Sequence, residues 1–259
     1  MSDSSGKWED LGTRVVTAIG LIVSIGGAVA MGGVVLMLSV ALIAGIMIWE
    51  LVRMQAPDQP FAGWVLGGLA GLALLSPLLN IQIYLGAVLM VGLGFIWLQQ
   101  GKVVFALYSA VILTGCFSLF FTRNFYWPQA AWLVSIVVVT DIAGYAVGRM
   151  LGGPKFWPRF SPKKTWSGTI GGWVGAALVG LVFAPVLGTW VVVYSVFLAF
   201  ASQMGDIAES AIKRRAGVKD SSDLLPGHGG LLDRFDGMIA AFAAWIILLT
   251  VLEKINGAA

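Results

Sequence analysis

Charged residues are absent from three long stretches of this chain, residues 15–49, 59–101 and 165–205. A membrane-spanning helix needs about 20 apolar residues, so each stretch is long enough for a helical hairpin. Each also holds helix-breaking residues where a turn would fall: Gly32-Gly33, Ser76-Pro77 through Asn80, and Pro185 to Gly188. Shorter apolar segments follow at 103–122, 130–149 and 238–252. The pattern predicts an all-α polytopic membrane protein of about nine transmembrane helices, the last one short.

Composition agrees. The 259 residues are 58% hydrophobic and 11% charged, against roughly 25% charged in soluble domains. A soluble globular fold is excluded on that balance.

Charge then sets the orientation. With the N-terminus cytoplasmic and the C-terminus outside, 14 of the 16 Lys and Arg residues fall on the inner side, leaving only Arg123 and Lys254 outside. The expected arrangement is an N-terminal hydrophobic bundle over residues 1–130, with about five helices. A C-terminal catalytic half over 131–259 has about four helices and two basic cytoplasmic loops. The polar first 14 residues precede a helix with no small-residue cleavage site behind it, so no removable signal peptide is expected. The single cysteine, Cys116, excludes a disulfide framework and a metal-binding thiol cluster. The net charge of +3 suits anionic headgroups or nucleotides, although topology alone also accounts for it.

The acidic residues locate the chemistry. Glu50 ends a charge-free run three residues before Arg53, where an i,i+3 pair is the simplest reading. Asp141 stands inside an apolar helix, within "VVVTDIAGYAVGR", with Tyr145 and Gly148 on its face. Such a carboxylate is functional by default, the alternatives being a polar group satisfied by a neighbouring helix or an ion-conducting one. In "ASQMGDIAESAIKRR", Ser202, Asp206, Glu209 and Lys213 form one polar stripe near the cytoplasmic helix end.

The densest stretch is "GHGGLLDRFDG". Asp233 and Asp236 project together if the last helix begins near Leu232. The bend at Pro226, Gly227, Gly229 and Gly230 would let backbone approach a phosphate, and Arg234 can grip phosphate oxygens bidentately. If the last two helices are antiparallel neighbours, Asp206 and Glu209 come opposite Asp233 and Asp236. With Lys213, Arg234 and Lys219, those carboxylates make a site for a hard cation and a phosphate, the chemistry of Mg²⁺.

A second basic loop, "RFSPKKTWSGTIGG", feeds a helix N-terminus whose free N–H groups, with Lys163 and Lys164, would suit a triphosphate. Two lysines there are also explained as topology signals. Gly168, Gly172 and Ala176 beyond them form a small-residue stripe, read as a helix-packing face.

Residues 210–236 read S-A-I-K-R-R-A-G-V-K-D-S-S-D-L-L-P-G-H-G-G-L-L-D-R-F-D. This resembles, position by position, the C-terminal pattern of the phosphatidate cytidylyltransferase (CDP-diacylglycerol synthase) family. "SPKKTWSG" and "DIAGYAVGR" also resemble family motifs, so the likeness spans residues 135–240, while the first 130 residues match only as a hydrophobic bundle. The resemblance implies cytidylyl transfer from CTP to phosphatidate with Mg²⁺, a second cation being left open. It implies metal binding by Asp206, Asp233 and Asp236, to which the residue pattern itself adds Glu209 and Asp141 as candidates. Lys213, Arg234 and Lys219 would neutralise phosphates. Ser161, Lys163 and Lys164 would face CTP, and Ser210, Arg214, His228, Gly229 and Gly230 would complete the substrate site.

The expected partners are CTP, phosphatidate and the bilayer, with a homodimer compatible and no nucleic acid. The expected location is a bacterial inner membrane, the site facing the cytoplasm. Three rivals are weaker. A CDP-alcohol phosphotransferase would continue its motif beyond Gly237, and this chain does not. A CTP-dependent polyprenol kinase lacks the unbroken 210–236 match. A cation-coupled transporter would show an internal repeat, and none is visible.

Overall fold

The computed structural model describes residues 5–76 and 83–257. Among these residues the chain forms nine α-helices and one two-stranded sheet. The helices are α1 (Ser5–Met31), α2 (Gly33–Gln55), α3 (Pro60–Leu75), α4 (Ile83–Trp97), α5 (Lys102–Phe125), α6 (Trp127–Leu151), α7 (Trp166–Leu187), α8 (Val191–Arg215) and α9 (Leu232–Gly257). Strands β1 (Lys155–Trp157) and β2 (Ser161–Thr165) pair antiparallel between α6 and α7. Six helices, α2 and α5 to α9, are long and apolar enough to cross a membrane. The apolar helices α3 and α4 have 16 and 15 residues, short of the roughly 20 that span a bilayer core. This architecture is an all-α, multi-pass membrane protein.

Two expected breaks fall where glycine places them. Gly32, with φ 65°, separates α1 from α2, and Gly188, with φ 96°, caps α7 by donating its N–H to Ala184 at 2.9 Å. Pro185 does not end α7; it sits in the last turn, two residues before the helix ends at Leu187. The expected break after Ser76 lies at residues 77–82, outside the described residues. The last helix is longer than its apolar segment predicts, beginning at Leu232.

The chain divides into two compact units, Met1–Ala110 with Ala216–Arg234, and Val111–Arg215 with Phe235–Ala259. In the first unit, α2 and α3 form an antiparallel hairpin seamed by glycine. A Cβ on Gly67 would stand 2.5 Å from the Gly45 carbonyl oxygen, and one on Gly71 3.2 Å from that of Ala41. In the second unit the small-residue stripe is a packing face, as expected. A Cβ on Gly168 would meet the Gly144 carbonyl oxygen at 2.6 Å, and one on Gly172 the Thr140 carbonyl oxygen at 3.1 Å. Ala176 is fully buried on the same face, whereas Ile170, Val174, Leu178 and Val182 of α7 point outward. Small residues inward and large apolar residues outward is the pattern of a helix in lipid, where close backbone approach replaces a hydrophobic driving force.

The core of the second unit is aromatic. Trp132 and Trp245 meet edge to face at 5.2 Å, and Trp190 stacks on Trp245 at 5.8 Å. The Trp132 Nε1–H donates to Ser195 Oγ at 2.9 Å, so its polar edge is satisfied within the buried cluster.

Candidate functional site

The sequence-predicted residues divide between the two units. In the second unit, α6, β2, the start of α7, and α8 enclose a cavity of about 350 Å³. Asp141, Tyr145 and Gly148 line it from α6, Lys163 and Lys164 from β2, and Gln203 and Asp206 from α8. Asp141, Tyr145 and Gly148 share one face of α6, as expected, and that face lines the cavity. Gly144, Gly148 and Gly168 bring α6 and α7 close, so Asp141 and the α7 N-terminus open onto one space.

Lys164 Nζ lies 2.5 Å from Asp206 Oδ2, both side chains partly exposed. Ser210 Oγ donates to Asp206 Oδ1 at 3.3 Å. The charges of Lys164 and Asp206 both act on Asp141, and Asp236 feels Asp206, Lys213 and Lys164. Thr165 caps α7, its Oγ1 accepting from the Gly168 N–H at 3.2 Å. Arg149 is turned along its own helix, donating to the Tyr145 hydroxyl at 2.8 Å.

Other predicted residues of this unit lie off the cavity. Glu209 is fully buried and ion-paired to Lys213 at 2.5 Å, so the polar stripe of α8 closes partly on itself. Asp236 Oδ1 accepts the Gly237 N–H at 2.7 Å. Ser161 opens β2 opposite Trp157, and Arg214 is exposed on the last turn of α8. The basic loop expected before α7 is thus a short hairpin. Its strands of three and five residues are too brief for alternation to show in sequence, and Pro162 weakens the strand signal further.

In the first unit, the loop at residues 216–231 and the start of α9 are built around two carboxylates. Asp233 Oδ2 accepts from the Ser221 N–H and Oγ at 2.9 Å each and from the Gly230 N–H at 2.8 Å. Glu50, fully buried on α2, accepts from Ser222 Oγ at 2.5 Å and from the Leu231 and Leu232 N–H groups at 2.9 and 2.7 Å. Those amides belong to the start of α9, where backbone donors have no intrahelical partner, so Glu50 caps the helix from a distant segment.

The local i,i+3 pair with Arg53 is not what holds Glu50; the Arg53 guanidinium lies over the Trp49 ring at 5.6 Å. A carboxylate closing a charge-free run was the signal that could have found Glu50, and the nearby arginine masked it.

The bend at 225–230 is held by backbone. Leu225 N–H donates to the Gly229 carbonyl and His228 N–H to the Leu225 carbonyl, each at 2.8 Å. Gly229 has φ 79°, and a Cβ there would stand 2.7 Å from Asp233 Oδ2. A Cβ on Gly230 would collide with Ser221 Oγ and Glu50 Oε1. Arg234 grips the His228 carbonyl oxygen through Nε at 2.9 Å and Nη2 at 2.5 Å. The His228 ring does not tie the bend, and its Nδ1 is buried without a hydrogen-bond partner among the described residues. Lys219 is exposed on the same loop. In neither unit do three or more His, Cys, Asp or Glu side chains of the described residues gather as metal ligands.

Comparison with known proteins adds a family to this geometry. The model described as "Cytidylyltransferase family" matches residues 12–252. A Brucella suis protein named phosphatidate cytidylyltransferase is 56% identical over 115 residues, 43% of either chain. Proteins of that name are 36% identical in Bacillus subtilis, over 58% of this chain and 59% of the relative, and 41% identical in Mycobacterium bovis, over 43% and 38%. The matched segments thus span less than two thirds of each relative.

Proposed function

The chain belongs to the cytidylyltransferase family, and we propose that it transfers cytidylyl from CTP to phosphatidate, forming CDP-diacylglycerol and pyrophosphate. The observation that carries this reading is the cavity that joins Lys163, Lys164, Asp141 and Asp206 beside the N-terminus of α7. Two lysines and the N–H groups at a helix start suit a triphosphate.

The lipid phosphate monoester is anionic near neutral pH, so no strong general base is needed. Its oxygen attacks the α-phosphorus of CTP in line; the new P–O bond forms as the bond to the α,β-bridging oxygen breaks, and pyrophosphate leaves. The difficulty is bringing two polyanions together. Lys163 and Lys164, with Ser161, face CTP, while Lys213, Arg214, Lys219 and Arg234 offset phosphate charge. Ser210 orients Asp206, and Gly229 and Gly230 let backbone come close at the bend.

In the second unit Asp206 and Asp236 would hold Mg²⁺, with Glu209 and Asp141 as further candidates; in the first unit Asp233 is the metal candidate, and a second cation is admissible. The Asp206 charge acts on Asp236, and an all-oxygen donor set fits a hard cation that uses one or two carboxylates plus substrate phosphates. Bound there, Mg²⁺ supplies charge neutralisation at the transferring phosphorus.

We assign nine spans, with the N-terminus inside, the C-terminus outside and the catalytic half at 131–259. The site then faces the cytoplasm of a bacterial inner membrane. The placing of 14 of 16 Lys and Arg on one side supports this.

The test is purified protein with phosphatidate, Mg²⁺ and CTP labelled in the α- or the γ-phosphate. Label from the α-position should enter the lipid. Lipid labelled from the γ-position instead would identify a CTP-dependent kinase.

A further inference from the structure

Helices α2 and α3 leave an apolar groove of about 600 Å³, walled by Leu38, Leu42 and Leu72. Glycine opens it. Gly67 and Gly71 pack their backbones against α2, and Gly68 contributes no side chain; a Cβ there would meet nothing within 4 Å. A second cavity of about 640 Å³ carries charged groups in its walls, Arg53, Lys219, Asp220 and Asp223, among apolar ones. The two share Trp49 and Trp64, whose rings pair at 5.1 Å with a 34° tilt. Tryptophans with apolar surroundings on one side and charged groups on the other mark the level where a bilayer meets water. An apolar groove thus adjoins, at the tryptophans, a cavity that carries charged groups, an arrangement that suits a lipid tail on one side and its head on the other.

We propose that this hairpin and the 218–224 loop form the binding track for the lipid substrate, phosphatidate, its acyl chain in the α2–α3 groove and its phosphate between Arg53 and Lys219. The proposal rests on the reaction argued above. Arg53 and Lys219 are the two cations of the second cavity, and an arginine fork matches phosphate oxygens. Asp220 and Asp223 share that cavity and disfavour a headgroup of greater negative charge. The same loop passes its next residue, Ser221, to the Asp233 carboxylate. A lipid seated there lies against the loop that carries the family signature.

The first measurement needs no turnover. Phosphatidate with a photoreactive group in one acyl chain is bound to the purified wild-type protein without CTP, and the labelled peptides are mapped. Label should fall on α2 and α3 and be displaced by excess phosphatidate but not by phosphatidylethanolamine. Equal displacement by both would mean that the groove holds bulk bilayer lipid, overturning the proposal.

The second uses Gly68→Trp, which fills the groove in open space. It should raise KM for long-chain phosphatidate about tenfold, equivalent to 1.4 kcal/mol, leaving KM for CTP and the rate with water-soluble dihexanoyl phosphatidate unchanged. Arg53→Gln should weaken both lipids alike. Equal loss with short and long chains in Gly68→Trp, or no change in either, would also overturn it. Groove labelling without any CDP-lipid product would remove the reaction and keep the track; product without groove labelling would do the reverse.

Discussion

Glu50 accepts the backbone N–H of Leu232 at 2.7 Å across 182 positions of sequence. A carboxylate at the end of one apolar helix thus caps the start of another, and the loop before that cap carries Ser221, His228 and Gly230. The favourable sign follows from the helix dipole, whose positive end meets a negative group. Replacing Glu50 by Gln exchanges one acceptor oxygen for a donor that faces an N–H or a hydroxyl. Glu50→Gln should cost about 1–3 kcal/mol of stability, measured by thermal unfolding in detergent, and lower turnover as the loop loosens. An unchanged midpoint would show that the loop is held by other contacts.

Asp206 and Asp233 should differ in what their loss does. The Lys164–Asp206 pair is partly exposed, where ion pairs contribute about 0–1 kcal/mol. Asp206→Asn should therefore leave the unfolding midpoint almost unmoved while turnover falls by roughly a thousandfold. Asp233 Oδ2 satisfies three donors, so Asp233→Asn should lose both turnover and several degrees of midpoint. Near-normal rates in either variant at ordinary Mg²⁺ would remove that residue from the metal site.

Membrane sidedness can be read with thiols. Lys155 and Asp223 are exposed, and the natural Cys116 is buried. In a Cys116→Ala background, Lys155→Cys and Asp223→Cys should react with an impermeant maleimide in inside-out vesicles and stay protected in right-side-out ones. Reaction from the opposite face would reverse the topology.

His228 gives its backbone, not its ring, to the bend: Arg234 donates to its carbonyl oxygen. Both His228→Gln and His228→Ala should fold like the wild type. The glutamine variant, which retains a donor, should keep more activity than the alanine variant. Neither should capture label from α-³²P CTP, because the lipid phosphate already provides the attacking oxygen. A cytidylyl adduct trapped on His228 of the wild type, in the absence of phosphatidate, would establish a nucleophile there.

The features readable from sequence are those that lipid imposes on composition. A span in hydrocarbon must be long, uncharged and internally hydrogen-bonded, so residues 165–205 announced the pair α7 and α8, and Gly168, Gly172 and Ala176 announced close packing. Asp141 was legible for the same reason, a carboxylate being costly within an apolar helix. The Ser210–Asp236 pattern was legible as a motif. What it does in space was not. Glu50 looked committed to Arg53, yet its partners stand 172 to 182 residues away, and spacing carries no information on contacts of that range. That Arg234 holds the His228 carbonyl oxygen was not legible; Lys164, where a topology signal was one reading, pairs with Asp206. A charged group reveals by its position only that it needs a partner. Which partner it takes is decided by how the helices bring distant donors and acceptors together.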